Sequence, residues 1–331
     1  MIELAIIIVN WNVKDLLKNC LASTLADIAT GNLSAEIWVV DNASTDGSVE
    51  MLRRDFPQVH LIAGQKNLGF AGGNNAALKA IGFADPPQFN SSSLQNKTDL
   101  PEAALLLNPD TEIHPGALQI LLDFFKHTPK AGLAGARLVY GDGAFQHSAF
   151  AFPGLWQLAI ELLPLPGRLV ESRLNGRYPR SLYEGERPFH IGHPLGAALC
   201  VRREAIRQVG LLDERFHMYV EEVDWSKRIV SAGWEAYCVP RATVTHFGGQ
   251  STGQIKTRMF VNLWTSRYQF YSRHYRPLKI WLAAQIVRAG MHRKAAQDSE
   301  AAGRGELTQA ELSERLGCYQ KVIDIWQGRE T

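Results

Sequence analysis

The chain has few cysteines, and they stand far apart: Cys20, Cys200, Cys238 and Cys318. No two form a C-x-x-C pair, which excludes zinc ribbons and dithiol redox motifs. Four isolated thiols in 331 residues are too sparse for a disulfide framework and point to a reducing compartment. Long apolar runs are also missing. The run Ile6–Val9 falls far short of the roughly 20 residues a membrane-spanning helix needs. Met1–Leu4 offers no basic stretch ahead of an apolar one, so no signal peptide is expected. There is no G-x-G-x-x-G fingerprint and no Gly-Lys-Ser/Thr of a Walker loop. Net charge is nearly absent, with 35 Lys+Arg against 33 Asp+Glu giving +2, which is not the footprint of a nucleic-acid coat. Internal repeats are lacking too. What remains is a cytoplasmic protein, with room for peripheral attachment to the inner face of the cell membrane.

The small total hides an uneven distribution. Residues 1–246 balance at −4, residues 247–297 carry nine Lys/Arg and no acid, and residues 298–331 balance at −3. The basic block interleaves Arg267, Arg273, Arg276, Lys279 and Arg288 with Trp264, Tyr268, Phe270, Tyr271, Tyr275 and Trp281. Such a block reads either as a solvated helical face packed on its domain or as a surface drawn to anionic lipid, with aromatics at the interface.

With 46% hydrophobic residues the chain can bury a large core. Leu4–Val9 is a continuous β-branched run, the pattern of a strand buried on both faces. Leu16 to Ile28 follows at helical spacing. Ala35–Val40 is a second strand ending at Asp41, Val59–Ala63 a third and Ala103–Leu107 a fourth. Ser44–Ser48 supplies cap residues for a short helix to about Asp55. A Gly69–Gly73 turn feeds another helix, and Pro115 opens one carrying Leu118, Leu121, Leu122 and Phe125. Residues 85–101 read as a flexible polar insertion. Residues 141–194 show no periodicity and read as irregular, on the acceptor side. Ala197–Arg202 reads as a strand, Tyr219–Ala232 as a helix, and Trp234–Val239 and Thr243–His246 as two short strands. A helical region runs from 255 to 331, basic to about 297, behind a catalytic domain at 1–254.

Alternating strands and helices predict an open α/β sheet, mostly parallel. Ligands bind such sheets outside the carboxyl ends of the strands. The polar clusters lie there: Asn10-Trp11-Asn12, Asp41-Asn42, Lys66-Asn67 and Asn108-Pro109-Asp110. Asp41 can accept hydrogen bonds from a base or ribose, although turns and caps also use aspartate there. Asn67–Asn75 lets backbone approach an anionic ligand, or simply turns strand into helix. Asp110 past a hydrophobic strand can hold a hard cation against a diphosphate. Glu221, Glu222 and Asp224 start a helix, where the dipole favours acids, and their mutual repulsion should raise one pKa toward that of a general base. His246 ends a strand before Gly248-Gly249, which suits an imidazole aimed at a metal.

The ordered set of motifs resembles the inverting family 2 glycosyltransferases. It comprises Val9–Asn12, Val39–Ser48, Asn67–Asn75, Leu106–Asp110, Gly196–Ala198, Asp213–Phe216, Tyr219–Asp224, Arg228, Ala232–Trp234 and His246. The later part is most similar to the rhamnosyltransferase-like branch, and the resemblance spans about 1–275. It implies a GT-A fold, a nucleotide-diphosphosugar transferase domain with a helical C-terminal appendage. It implies that Asp41 binds the nucleotide with Val9 beside the base. Asn10, Asn67, Gly73, Asn74 and Asn108 would line the donor site. Asp110 stands for the last carboxylate of a D-x-D metal motif, with His246 as a second ligand to Mg²⁺ or Mn²⁺. Glu222 occupies the base position, with Glu221 and Asp224 contacting donor or acceptor. Two positions depart from the family pattern, Asn108 where an aspartate is usual and Glu222 where the pair usually ends in aspartate.

The expected reaction moves a sugar, L-rhamnose by resemblance, from a dTDP-, UDP- or GDP-linked donor. The acceptor is a glycan or polyprenol-diphosphate-linked glycan of the cell envelope, at an anionic membrane surface and without nucleic acid. A nucleotidyltransferase on a similar sheet would need a basic glycine-rich signature near the first strand, which Asn10-Trp11-Asn12 is not. A non-catalytic glycan- or nucleotide-binding module would have no need of Asp110, Glu222 and His246 together.

Overall fold

The computed structural model describes residues 2–85, 100–216, 218–248 and 256–329. Strands and helices alternate through β1 (Leu4–Asn10), α1 (Lys14–Gly31), β2 (Ala35–Asp41), α2 (Ser48–Asp55), β3 (His60–Ala63) and α3 (Gly69–Ile81). Next come β4 (Ala103–Leu107), β5 (Thr111–Ile113), α4 (Ala117–His127), β6 (Ala131–Val139), β7 (Phe145–Gln146), β8 (Ala149–Phe150), α5 (Leu155–Leu162) and α6 (Arg180–Glu184). The chain continues with β9 (Phe189–His190), β10 (His193–Pro194), β11 (Ala198–Arg202), α7 (Arg203–Val209), α8 (Glu221–Ser231) and β12 (Glu235–His246). Three helices follow: α9 (Lys256–His274), α10 (Pro277–Gly303) and α11 (Gln309–Trp326).

The main sheet runs β3-β2-β1-β4-β11-β6-β12-β5, with β7 added to β6 and β9 to β12. Its first four strands are parallel, as the β-branched runs predict. Leu4 to Ile8 are fully buried, so β1 is covered on both faces. β11 enters antiparallel between β4 and β6, while β12 lies parallel to β6 and antiparallel to β5.

Three features differ from the sequence reading. β6 is a nine-residue central strand written Ala-Gly-Leu-Ala-Gly-Ala-Arg-Leu-Val, a composition with little strand propensity. Its glycines serve packing: a Cβ on Gly135 would lie 2.4 Å from Pro194 Cβ, and one on Gly132 2.5 Å from Trp234 Cβ. The two strands expected at 234–246 are one, β12, whose register on β6 shifts between Val239 and Thr243, around Pro240. Residues 141–194 are not irregular throughout, since β7 to β10, α5 and α6 lie there. The polar insertion expected near 85–101 falls, from 86 to 99, outside the described residues.

The chain forms two compact units. The first, residues 1–151, 180–215 and 221–251, holds the sheet. The second, residues 152–179, 216–220 and 252–331, has its own aromatic core. There Trp264, Phe270 and Tyr271 are buried with Trp326. Trp326 donates its indole N–H to the Trp264 carbonyl at 3.1 Å. Arg267 stacks over the Trp264 ring and pairs with Glu161. A Thr308–Glu311 capping box starts α11.

Candidate active site

Parallel pairing of β1 with β2 puts Asn10 opposite Asp41 at the carboxyl end of the sheet. Asn10 Nδ2 donates to Asp41 Oδ2 at 2.8 Å and to Ser44 Oγ at 3.2 Å, and the Ser44 backbone N–H donates to Asp41 Oδ1 at 2.8 Å. Asp41 thus ties two strand ends and the turn after β2. Asn10 Oδ1 is buried with no hydrogen-bond partner among the described residues, an acceptor that ordinarily finds one. Asp46 has the capping role expected of it, accepting from the backbone N–H of Ser48 and of Lys14, so one carboxylate holds the starts of α1 and α2.

The glycine-rich turn has a packing reason. A Cβ on Gly73 would stand 2.7 Å from Val9 Cγ1, so α3 can lie this close to β1 only with glycine there. This joins two candidate donor-site residues. Asn67 Oδ1 accepts the Gly69 N–H at 2.8 Å, and Asn74 Nδ2 donates to the Phe70 carbonyl at 2.9 Å. Both side chains therefore shape the turn itself. Asn75, within the Asn67–Asn75 run but not among the expected donor-site residues, bonds both backbone groups of Leu212 and anchors α3 to the segment after α7.

The Asn108-Pro109-Asp110 turn is braced from within: Thr111 Oγ1 donates to the Asn108 carbonyl at 2.7 Å, and the Asn108 N–H donates to Ala197 O at 2.9 Å. Sheet register then delivers His246. β12 pairs His246 with Thr111, and the Phe247 N–H donates to Asp110 O at 2.9 Å. His246 Nε2 consequently lies 3.5 Å from Asp110 Oδ1, both side chains buried. On the other side of the ring, Nδ1 lies 3.2 Å from Gln146 Oε1. An amide oxygen only accepts, so Nδ1 donates to Gln146 and Nε2 is the nitrogen turned to the Asp110 carboxylate. With the ring neutral and Nδ1 donating, a nitrogen lone pair and a carboxylate oxygen face one another across 3.5 Å, a candidate place for a cation. No group of three or more His, Cys, Asp or Glu suited to a metal occurs among the described residues. Asp110 and His246 are thus the two candidate ligands here. Nothing in the local sequence marked Gln146, because its partner is 100 residues away.

Helix α8 carries the acids. Asp224 is fully buried and accepts from Arg228 Nε at 2.8 Å, one turn on. Arg228 also donates to the carbonyls of Val209 and Leu211, so this pair anchors the helix. Glu221 is buried as well. Glu222 keeps some exposed surface, yet the protein packed around it pushes its carboxyl up to about 7, and the N–H groups of Glu222 and Val223 hold it back from going higher. Burial is the cause, where the sequence suggested repulsion among the acids. Immediately before the helix, Tyr219 and Val220 hold φ of 68° and 73°, a costly conformation for a β-branched residue.

Glu222 lies against Gly196. A Cβ on Gly196 would come 3.4 Å from Glu222 Cγ and 3.6 Å from Phe70 Cζ. Its neighbour Ala197 holds the Asn108 N–H. The raised carboxyl, an aromatic edge and the turn bearing Asp110 are therefore linked through one glycine-alanine pair. Sequence reasoning did not single out Phe70, because phenylalanine at a helix start ordinarily means core.

Comparison with known proteins matches residues 5–82 to the model of glycosyl transferase family 2. An N-acetylglucosaminyl-diphospho-decaprenol L-rhamnosyltransferase of Mycobacterium tuberculosis is 31% identical over 218 residues, covering 66% of this chain and 68% of the relative. The low-salt glycan biosynthesis hexosyltransferase Agl10 of Haloferax volcanii is 27% identical over 227 residues, covering 68% and 61%. Among solved structures, GalNAc-T7 with UDP, GalNAc and Mn²⁺ superposes with a TM-score of 0.58 at 14% identity. That match covers 87% of this chain, which spans about half, 51%, of the GalNAc-T7 chain. The mannosyltransferase PcManGT of Pyrobaculum calidifontis, with GDP-Man and Mn²⁺, gives 0.52 at 14% identity over 99% of this chain and 86% of its own. At this identity the likeness is one of fold, and the fold is GT-A.

Proposed function

We propose a reaction for a chain that belongs to glycosyl transferase family 2: inverting transfer of a hexose, L-rhamnose foremost, from a nucleotide-diphosphosugar to a polyprenol-diphosphate-linked glycan. The observation that carries it is the Glu222 carboxyl, held at about 7 and joined through Gly196-Ala197 to the turn that presents Asp110. A base must be largely deprotonated at working pH yet still take a proton, and a pKa near 7 meets both needs.

Each group then has a task. The nucleotide lies at the ends of β1 and β2, where Asp41 fixes the turn and the unmet acceptor Asn10 Oδ1 awaits a donor. Asp110 and His246 would hold a divalent cation, the carboxylate oxygen suiting Mg²⁺ or Mn²⁺ and the imidazole nitrogen favouring Mn²⁺ of the two. When bound, the cation supplies positive charge to the departing diphosphate. Glu222 takes the acceptor hydroxyl's proton as that oxygen bonds the anomeric carbon. The bond from that carbon to the diphosphate oxygen breaks, and the nucleoside diphosphate leaves with the electron pair. Glu221 lines this position beside Glu222, and Asp224 keeps the helix in place through Arg228. The rhamnosyltransferase relative supports both sugar and acceptor class, since its name specifies a decaprenol-diphosphate acceptor. An acceptor of that kind resides in a bilayer, so an anionic membrane surface belongs to the reading, met by the basic block 247–297.

The test is a panel of dTDP-, UDP- and GDP-sugars read by thermal shift and donor hydrolysis. One nucleotide-sugar should stabilise the protein in the presence of Mn²⁺ and be turned over. Binding of free nucleoside triphosphates with pyrophosphate release would favour nucleotidyl transfer instead. Glu222→Gln should lower turnover by a factor of about 10²–10⁴ while keeping donor binding, and unchanged turnover would remove Glu222 as the base.

A further inference from the structure

The aromatic residues of the basic block do not share one environment. Trp264, Phe270 and Tyr271 are buried in the helical unit's own core and can touch no external surface. Trp281 is the exception, 58% exposed, with Leu278 at 70% and Leu282 at 37% beside it on α10. Positions 278, 281 and 282 share one helical face. The row Ala283, Ala284, Val287, Gly290 and Met291 occupies the opposite face and is buried. Gly290 packs against Leu162 of α5, where an added Cβ would meet Leu162 Cβ at 2.5 Å. The first half of α10 is thus apolar on both sides. One side has a partner within this unit, and the other is open.

The charges that this stretch of chain carries beside the open side have one sign. Arg276 precedes the helix, Lys279 stands over the Tyr275 ring at 3.2 Å, Arg288 follows two turns on, and no acidic residue occurs between 247 and 297. A hydrogen bond from Tyr275 Oη to the Pro153 carbonyl ties the entry of α10 to the start of α5, where Trp156 is also 58% exposed. Tryptophan and leucine ringed by Arg and Lys is the chemistry of a shallow insertion into an anionic bilayer: indole at the headgroup level, leucine among the acyl chains, cations on the phosphates. Cations flanking an exposed apolar stripe, with no acid on this stretch of chain, match a continuous negative surface better than a protein partner of mixed charge.

We propose that Leu278, Trp281 and Leu282 insert into an anionic phospholipid surface and give this protein a membrane attachment that electrostatics alone would not. This rests on the reading that the enzyme works at an anionic membrane surface, and it changes the expected behaviour. Adsorption through the basic block alone would vanish at high salt, since exposed charges are screened beyond about 3 Å at 1 M. Insertion leaves a component that survives.

The experiment is flotation of the full chain with phosphatidylcholine vesicles, with and without phosphatidylglycerol, at 0.1 M and 1 M salt. The same samples are run with the triple variant L278Q/W281Q/L282Q. Wild type should float with phosphatidylglycerol vesicles and keep a bound fraction at 1 M salt, with Trp fluorescence shifted to the blue. The triple variant should keep its melting temperature and lose the salt-resistant fraction, with at least tenfold weaker partitioning. Equal salt-resistant binding by both proteins would overturn the insertion while leaving the membrane reading standing. No binding of wild type to any vesicle would overturn both. A wild-type dimer in light scattering that the triple variant abolishes, with no vesicle binding, would reassign the stripe to self-association and overturn the proposal. As a control, Trp281→Phe alone should keep most of the wild-type binding, because it retains the apolar area without the indole N–H.

Discussion

Glu222 titrates where an enzyme can use it, and two independent measurements follow. Its pKa of about 7 places the acidic limb of the kcat/KM profile near pH 7, with activity rising as the carboxyl loses its proton. The second measurement is stability. The folded pKa lies above the ordinary 4.5, so the stabilisation tied to this group is complete below about pH 4.5 and is lost as pH rises through about 7. Glu222→Gln carries no charge to bury. It should match wild type at pH 4 and be more stable above pH 7, by about 1–3 kcal/mol in denaturant titrations. A stability difference that does not depend on pH would contradict the burial of this carboxyl. The proposed cation site at Asp110 and His246 gives a further expectation at this scale. Gln146 orients the His246 ring through Nδ1, so on the proposed site Gln146→Leu should weaken Mn²⁺ binding roughly 10–100-fold, measured by titration with nucleoside diphosphate present. If His246→Ala weakens binding and Gln146→Leu does not, the orienting role is wrong; if neither does, the metal lies elsewhere.

At the scale of elements, the sheet is where the sequence was both most and least readable. β1, β2 and β4 declared themselves through β-branched or leucine runs, because a strand buried on both faces admits little else. β6 did not, because its neighbours required small residues. The closest approaches are Pro194 to Gly135 and Trp234 to Gly132, at distances no side chain could occupy. Gly135→Ala should therefore cost about 1–3 kcal/mol of unfolding free energy by overpacking. A loss below about 0.5 kcal/mol would mean that β10 shifts away easily. The candidate site followed the same division. Asp41, Asp110 and Glu222 were legible because polar residues after buried runs stand out. Gln146, Phe70 and Asn75 were not, since each acquires its meaning from a residue more than 70 positions away or from a turn that only the fold closes.

Across the whole molecule, the thiols are guarded by burial. Cys20, Cys200 and Cys238 are buried, and desolvation pushes each up to about 12. Cys318 is partly exposed. Native protein at pH 8 should therefore react rapidly with one equivalent of a thiol reagent and with four after denaturation. Faster labelling of a second cysteine would reveal local opening of the sheet. No helix among the described residues is long and apolar enough to cross a membrane, in keeping with the absence of long apolar runs. The aromatic-rich basic block looked uniform in sequence. Folding divides it, sending Trp264, Phe270 and Tyr271 inward and leaving Trp281 outside.

The sequence by itself determined the alternation of buried strand and helix, the polar residues closing each strand, and the order of motifs that belongs to a sugar-nucleotide transferase. Hydrophobic periodicity and turn chemistry are local, and a linear reading captures what is local. The tertiary structure alone decided which of those residues meet. It set His246 beside Asp110 through β12–β5 register, gave Gln146 a ring to orient, and buried Glu222 enough to lift its pKa while Asp224 went to Arg228. It also left three apolar side chains of α10 open to solvent. Distance, burial and register arise only when remote segments pack, and these quantities turn a set of suitable side chains into a site.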